Sequence, residues 1–439
     1  MAAPGDCSAR TTRQPPAALG ARRALTSVLM LWVGAGAANA QTNPWYVGAS
    51  MSLNHDSNVL RLGENQPSGP GESRSDTVLS TGLVGGINQG IGRQRVVGNL
   101  TLLDNRFDRN SKYNNQGYNG SLGLEWQTVE RLSGALTLAA ARNLSTFNAD
   151  GVGLLSQRNE ESSEGINASV SLGLVTQYSL EASAGQRRVR NSLDLQSVRA
   201  RDYNQDHGSL GLAWRPSSAI SLSAGLREVR GVFPRFRAVA AGFESDRFSQ
   251  QQLDLAATLR PSGASTVDLR LNVGDTRYRS DEQRDFASVN GSLNWMWQAT
   301  GKLRLNTRYA RDKGQDNYPS TVPFFFGTLP VTLNDRRLIS SWRAQIDMDV
   351  SAKVALSSSL QYSKRSVQRH TLAVSGTVAL ASISGSDATT IFTVGARWSP
   401  LRNSLLGCDL RSENRRASGA ITANLKGNSL NCYTQITLQ

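Results

Sequence analysis

Residues 289–311, VNGSLNWMWQATGKLRLNTRYAR, decide the fold, because two kinds of side chain alternate along both halves of this stretch. One face of the first half carries Val289, Gly291, Leu293, Trp295 and Trp297, and one face of the second carries Leu303, Leu305, Thr307 and Tyr309. A period of two places successive side chains on opposite faces of an extended strand. Because only residues 299–302 separate the halves, the stretch is predicted to be an antiparallel hairpin with one apolar and one mostly polar face.

The same unit recurs at intervals of roughly 40 to 50 residues, as a strand, a short turn, a second strand and a long polar loop. A soluble β-sandwich would also alternate. However, Trp126, Trp214, Trp297 and Trp398 all lie at strand ends beside short turns, as an aromatic girdle at a membrane interface would. The pattern therefore predicts an all-β fold, an antiparallel transmembrane β-barrel of about eighteen strands with short periplasmic turns and long extracellular loops.

Proline marks three of the predicted short turns, residues 215–218, 260–263 and 399–402. Proline has no backbone N–H, so it ends a hydrogen-bonded ladder where a turn begins. Residues 371–383 alternate poorly and are compatible with either an outer loop or an additional pair of strands.

The start of the chain is typical of a secretory signal. Arg22 and Arg23 precede an apolar run, residues 24–33, and the small residues around Ala40 resemble a peptidase site. We expect residues 1–40 to be a signal peptide and residues 41–439 to form the barrel in the outer membrane of a Gram-negative cell. The alternative is an uncleaved anchor, although the apolar run is shorter than the roughly 20 residues that a spanning helix needs.

Charge and cysteine content agree with an exported protein. Removing the four basic and one acidic residue of the signal from the full-chain net charge of +14 leaves +11. The basic residues are scattered and form no dense block, so we expect no nucleic-acid partner. Cys408 and Cys432 remain after export and fall near facing positions on the last two strands, where either a disulfide or two independent thiols would fit. The spacing suits no metal site, and no cofactor is expected.

The faces opposite the apolar ones carry charged side chains that are too costly to place in hydrocarbon and therefore face the lumen. The lumen candidates are Arg227, Arg270, Arg304, Arg308, Arg343, Arg397, Arg411, Asp254, Asp268 and Asp347. They have two interpretations, which are mutual pairing that stiffens the wall and a charged lumen that selects solutes. A barrel of about eighteen strands is wide enough for an aqueous channel unless loops or a partner fill it.

An enzyme is not expected, and no catalytic residue is assigned. Only three histidines are present, and the best pairing of a base with a nucleophile is His207 with Ser209, two residues apart on one strand face. The aromatic run at residues 322–326 has two readings, stacking on sugar rings, or forming an aromatic plug or a packing cluster within a loop.

Three short motifs resemble the EpsL-type outer-membrane proteins encoded in exopolysaccharide operons. They are residues 56–62 (DSNVLRL) after the first strand, residues 74–77 (RSDT) and the turn at residues 297–302 (WQATGK). The resemblance implies a role in exopolysaccharide synthesis or export across the outer membrane, with the polymer, outer-membrane lipid and periplasmic export proteins as partners. The alternative from the residues alone is a general porin for small anionic solutes.

Overall fold

The computed structural model describes residues 43–145, 157–173, 177–279, 284–324, 327–373, 379–419 and 421–438. The predicted signal peptide, residues 1–40, lies outside these ranges. Within them, no helix is long and apolar enough to cross a membrane.

Eighteen antiparallel strands form one sheet, and the sheet closes on itself because the first strand pairs with both the second and the last. In chain order the strands are β1 Trp45–Asp56, β2 Asp76–Ile91, β3 Gln94–Phe107, β4 Asn115–Gln127, β5 Leu132–Leu144, β6 Glu160–Leu172, β7 Tyr178–Asn191, β8 Tyr203–Ser217, β9 Ile220–Val239, β10 Gly242–Ser262, β11 Ser265–Tyr278, β12 Phe286–Gln298, β13 Leu303–Phe324, β14 Gly327–Asp349, β15 Val354–Ala373, β16 Ala379–Trp398, β17 Ser404–Gly419 and β18 Leu425–Leu438. The predicted fold class and strand number are confirmed.

The opening hairpin forms with the predicted turn. Residues 299–302 join β12 to β13, and Trp297 pairs with Leu305 across the ladder. Closure leaves no free sheet edge, so every strand in the barrel has two hydrogen-bonded neighbours.

The outer face of the wall is apolar. Large hydrophobic side chains such as Leu100, Leu293 and Ile346 are exposed on it, whereas a soluble protein would bury them in a core. Alternation assigns the neighbouring positions to the inside, where Asn99, Asn294 and similar polar side chains follow. A closed barrel with an apolar exterior is the form in which strands cross a bilayer, so we assign the chain to the outer membrane.

The predicted tryptophan girdle lies at the end of the barrel with the short turns. Trp126, Trp214, Trp297 and Trp398 are each within the last few residues of their strands. Both described ends of the chain, residues 43 and 438, lie at this same end, which we call the periplasmic end.

Two of the proline-marked turns are shorter than predicted. β8 continues to Ser217 and β10 to Ser262, so Pro216 and Pro261 lie inside strands. The ladder tolerates them because its register shifts at both places, between Trp214 and Ser217 and between Leu259 and Ser262. A bulge removes the need for the N–H that proline lacks.

The extracellular end differs from the expectation of long loops throughout. A transmembrane strand needs about 9–11 residues, but β9, β10 and β13 to β16 have 20 to 23 residues. These strands therefore project beyond the bilayer, and only residues 240–241 separate β9 from β10. Residues 371–373 end β15 and residues 379–383 begin β16, whereas residues 374–378 lie outside the described ranges.

Candidate functional site: the lumen wall and its extracellular cap

All ten predicted lumen residues lie on the inner face. Each has the opposite parity to the exposed hydrophobic residues of its own strand, as Arg343 has between Trp342 and Ala344 on β14. The same holds for Arg227, Arg270, Arg304, Arg308, Arg397, Arg411, Asp254, Asp268 and Asp347. Register, rather than sequence distance, then decides which of them meet.

The three predicted lumen carboxylates are engaged by hydrogen-bond donors. Asp254 accepts from Arg227 Nη2 at 2.8 Å and from Asn272 Nδ2 at 2.5 Å. Asp268 accepts from the Thr258 hydroxyl at 2.7 Å. Asp347 accepts from the Gln345 amide at 3.0 and 3.1 Å. Such bonds satisfy the carboxylate oxygens and reduce what these groups offer to a passing solute.

The arginines of the same wall are more accessible. Arg270, Arg304, Arg308, Arg343 and Arg397 are all exposed to the lumen. Arg304 forms an ion pair with Asp349 at 3.2 Å, and Arg343 donates to Gln345 at 3.0 Å. The side chains of all five arginines are nevertheless exposed, so the accessible inner surface of β11 to β16 carries positive charge.

One pair of these arginines is notable for its register. Arg308 of β13 and Arg343 of β14 are direct cross-strand partners, and both point inward. Like charges directly opposite each other destabilise a sheet unless solvent or an anion screens them. An anionic group in the lumen would therefore be attracted to this position by two guanidinium groups.

Nearer the extracellular end the inner face carries close ion pairs, and Arg411 is the only member of these pairs among the predicted lumen residues. Their N–O distances are 2.6 Å for Arg337–Asp316, 2.6 Å for Arg369–Asp335, 2.7 Å for Arg365–Asp387 and 3.0 Å for Arg411–Glu413. The alternation along each strand would have identified them, because each residue lies an even number of positions from the inward-facing residues of its own strand. They lie beyond the apolar belt, the band of outward-facing hydrophobic side chains. In this part of the wall the charged side chains pair with one another, as in the first of the two interpretations given for the lumen residues.

The first extracellular loop, residues 57–75, folds inward over this end. Its Arg61 reaches Asp56 at 3.0 Å and Glu413 at 3.7 Å, and both carboxylates belong to inward-facing positions of β1 and β17. Arg61 has a positive φ of 55°, which is uncommon for a residue other than glycine. Asn58 fixes the turn by bonding Leu62 N and O at 2.9 Å each.

The loop is also fastened to the next one, residues 108–114, where residues 111–113 form a short 3-10 helix. Glu72 accepts from the Tyr113 hydroxyl at 2.6 Å, from Lys112 Nζ at 2.8 Å and from the Gly69 amide at 3.0 Å. Burial acts to raise the pKa of Glu72, but the bonds from Lys112, Tyr113 and Gly69 lower it overall. Burial and the bond to Glu72 raise the pKa of Tyr113.

A second set of contacts closes the far side of the same end. Arg284 is buried, with an N–O distance of 2.5 Å to Asp246 and with its guanidinium 4.2 Å from the Tyr278 ring and 4.9 Å from the Phe236 ring. The Tyr278 ring also belongs to a row of aromatic rings on neighbouring strands. We call these buried residues, together with the two loops above, the extracellular cap.

The cap joins strands that are not neighbours in the sheet. Helix α1, Gln196–Arg199, lies against both β9 and β13, and Gln196 donates to the carbonyls of Arg235 and Phe236. Arg237 of β9 donates to Thr332 of β14 at 3.1 Å. The projecting ends of the long hairpins are thus held together.

The weak enzyme candidate is not assembled. His207 Nε2 forms its hydrogen bond with Asn167 at 3.0 Å, whereas the Ser209 hydroxyl bonds the Ser183 hydroxyl at 2.7 Å. Each therefore belongs to a separate polar contact on the inner wall. In the described ranges no cluster of three or more His, Cys, Asp or Glu residues could hold a metal ion.

Two further predicted features have different outcomes. Cys408 and Cys432 are direct cross-strand partners on the outer face and are joined by a disulfide, with Cα atoms 4.1 Å apart. The aromatic run at residues 322–326 lies partly outside the described ranges, which include no side chain of this run, so both of its readings stay predictions.

Among solved structures, the chain is similar to large outer-membrane barrels. It shares 13% identity with opdK of Pseudomonas aeruginosa, covering 90% of this chain and 98% of that one, with a TM-score of 0.45. It shares 11% with OpdQ of the same organism, covering 90% and 98%, with a TM-score of 0.44. With the ferric enterobactin receptor PfeA of P. aeruginosa the identity is 8%, the coverage 89% and 80%, and the TM-score 0.44.

No protein-family model and no curated protein matches the sequence. The structural likenesses are too distant to transfer a solute or a partner to this chain.

Proposed function

We propose that this outer-membrane barrel is a conduit for anionic solutes and that it assists the passage of an acidic exopolysaccharide across the outer membrane. The observation that carries the anionic part is the exposed arginine surface of β11 to β16 with the opposed pair Arg308 and Arg343. Fixed positive charge in a lumen raises the local concentration of anions and lowers that of cations.

The polymer is suggested by the resemblance of residues 56–62, 74–77 and 297–302 to the EpsL-type proteins. An acidic polysaccharide would carry carboxylates past a row of guanidinium groups, each of which can form two parallel hydrogen bonds to one carboxylate. Periplasmic export proteins would deliver the chain at the end with the short turns, and bilayer lipid would surround the wall.

A general porin for small anions is the second candidate, because the same arginine surface would serve it. The two differ in how long the solute occupies the lumen. A polymer contacts several arginines at once and is retained by multivalency, whereas a small anion contacts one or two.

The test is single-channel conductance of the purified protein in planar bilayers under a salt gradient. We expect a reversal potential of anion-selective sign, which moves toward zero in an Arg308→Gln, Arg343→Gln double variant. Arg230→Gln is the matched control, because Arg230 is an exposed arginine on the outer face of β9, where it forms an ion pair with Glu228. This substitution should leave the reversal potential unchanged. Cation selectivity, or selectivity that the double variant does not alter, would contradict the proposal.

A second arm separates the two solutes. Addition of an acidic oligosaccharide is expected to block the current in a concentration-dependent way, and the double variant should need more of it. Indifference to the oligosaccharide with anion selectivity intact would favour the porin over the polymer conduit.

A further inference from the structure

A groove of about 1030 Å³ runs along the outer face of the barrel from β1 to β7. Its lining includes Trp45 at the periplasmic end of β1 and Arg188 near the extracellular end of β7, with apolar residues between them. The volume is at the upper end of the range for ligand sites, roughly 300–1,000 Å³. A groove of this size in a membrane-facing wall has to be filled.

The register explains why the wall is hollow there. Residues that oppose each other directly form a row across six strands, and three of the six positions carry Gly or Ala, where the rest of the outer face carries mostly large apolar side chains. In order from β2 to β7 the row is Gly85, Leu100, Gly120, Ala140, Glu164 and Arg188.

The row below it has one more glycine, Gly98, between Ile87 and Leu122. The five interstrand spacings from β2 to β7 give the row a length of about 24 Å. Strands of a barrel are tilted, so a row at right angles to them rises obliquely across part of the membrane-facing wall.

The two ends of the groove differ in chemistry. Apolar side chains line it through the belt, whereas Glu164, Gln186 and Arg188 line its extracellular end, and all three are exposed. The described residues provide no ion pair between Glu164 and Arg188, although they oppose each other directly. An apolar channel that ends at an accessible guanidinium group, with a carboxylate opposite it, matches an amphiphile with hydrocarbon chains and a headgroup that contains a phosphate.

We propose that the groove binds a membrane lipid, with acyl chains along the Gly85, Gly98 and Gly120 hollow and a phosphate headgroup bonded to Arg188 and Gln186. A second copy of the chain fits less well. A twofold contact would place this concave surface against itself and leave a void, and a void loses the dispersion contacts of its lining.

The test is lipid retention by the purified full-length mature protein, measured by native mass spectrometry during titration with dimyristoyl phosphatidylglycerol. Gly85→Leu and Gly120→Leu fill the groove. A Cβ at Gly85 meets nothing nearer than 3.5 Å, and one at Gly120 meets the Leu100 side chain at 3.2 Å. Gly291→Leu is the matched control, because this outward glycine of β12 lies outside the groove and its Cβ meets only an atom at 3.5 Å and one at 3.8 Å.

We expect each groove-filling variant to weaken phosphatidylglycerol binding at least tenfold, while the control binds as the parent does. Arg188→Gln should weaken it about tenfold, as loss of one charged hydrogen bond does, and should leave binding of uncharged dimyristoylglycerol unchanged. If Gly120→Leu fails to fold, Gly85→Leu decides the question. Undiminished binding by the filled variants, or a dimer that Gly85→Leu dissociates, would overturn the proposal.

Discussion

The apolar belt and the extracellular cap of this barrel are stabilised in opposite ways. In the belt, charged side chains such as Arg308 remain in water and the apolar side chains face outward toward lipid. In the cap, charged side chains are buried, and Arg284 and Asp246 are 2% and 1% exposed. The stability of the belt therefore depends on the lipid and water on its two faces, whereas the stability of the cap depends on contacts within the protein.

This difference indicates where each region is vulnerable. Removing one member of a buried ion pair leaves an uncompensated charge, whereas removing an exposed charge costs little. Conversely, a new charge is tolerated on the inner wall and is costly on the outer wall of the belt.

The largest effect is expected in the cap, from Arg284→Ala. The substitution leaves the Asp246 carboxylate buried without its guanidinium partner and removes the stacking on Tyr278, so we expect a cost of about 3–5 kcal/mol. The cost should appear as faster hydrogen exchange of the peptides that contain the ends of β10 and β11, because the belt can stay folded while the cap opens.

The control for that experiment is Arg230→Ala, which removes one member of an exposed pair with Glu228 at 2.8 Å. Its effect on exchange should be negligible. Equal effects of the two substitutions on hydrogen exchange would show that the buried pair in the cap stabilises the protein no more than an exposed pair does.

A smaller effect is expected in the belt, from Leu293→Arg. This outward position of β12 faces hydrocarbon, where an arginine costs about 2–4 kcal/mol at mid-bilayer and less toward the interfaces. The neighbouring inward position takes the matched variant, Asn294→Arg, which opposes Asp268 and Arg308 and should cost much less. Urea titration of folding into lipid vesicles measures the free-energy cost of each substitution. Similar costs at the two positions would contradict the assignment of one face to lipid and the other to water.

The smallest effect concerns pH and the junction between the first two extracellular loops. Because the folded pKa of Glu72 lies below its ordinary value of 4.5, the charged form stabilises the junction, and this contribution is complete above pH 4.5. It is lost as the pH falls through the lowered folded pKa. Since the pKa of Tyr113 is raised above its ordinary value of 10, its contribution is complete below pH 10.

Hydrogen exchange of the peptides covering residues 57–75 and 108–114 measures this junction, after correction for the intrinsic exchange rate at each pH. Protection should decrease below pH 4.5 in the parent protein. In Glu72→Gln the acid-dependent part should be absent, and an unchanged acid response in that variant would assign the effect to another group.

The belt was predictable from the sequence because lipid and water impose a period of two. The hairpin at residues 289–311, the strand number and the inward position of Arg304 and Arg308 all follow from that alternation. Residues such as Gly291 and Thr307 lie on the outer face although they are not strongly hydrophobic, because the position of a residue along the pleated strand determines the face on which its side chain lies.

The cap was not predictable in the same way. Beyond the bilayer both faces of a strand contact water or protein. The alternation of apolar and polar residues therefore ends there, although the hydrogen-bonded pairing of the strands continues. For this reason the apolar alternation of β14 begins only at Leu338, whereas the strand begins at Gly327. Contacts such as Arg61 with Glu413 join the two ends of the chain, and no local pattern specifies them.

The central claim, that lipid touches one face of each strand and water the other, is tested most directly by single cysteines at residues 289–297 of β12. The background lacks the natural pair through Cys408→Ser and Cys432→Ser. In lipid vesicles a water-soluble maleimide present on both sides should label cysteines at the even positions, such as Asn290→Cys and Asn294→Cys, and spare those at the odd positions, such as Leu293→Cys. Uniform labelling along the strand, or labelling of the odd positions instead, would contradict the account.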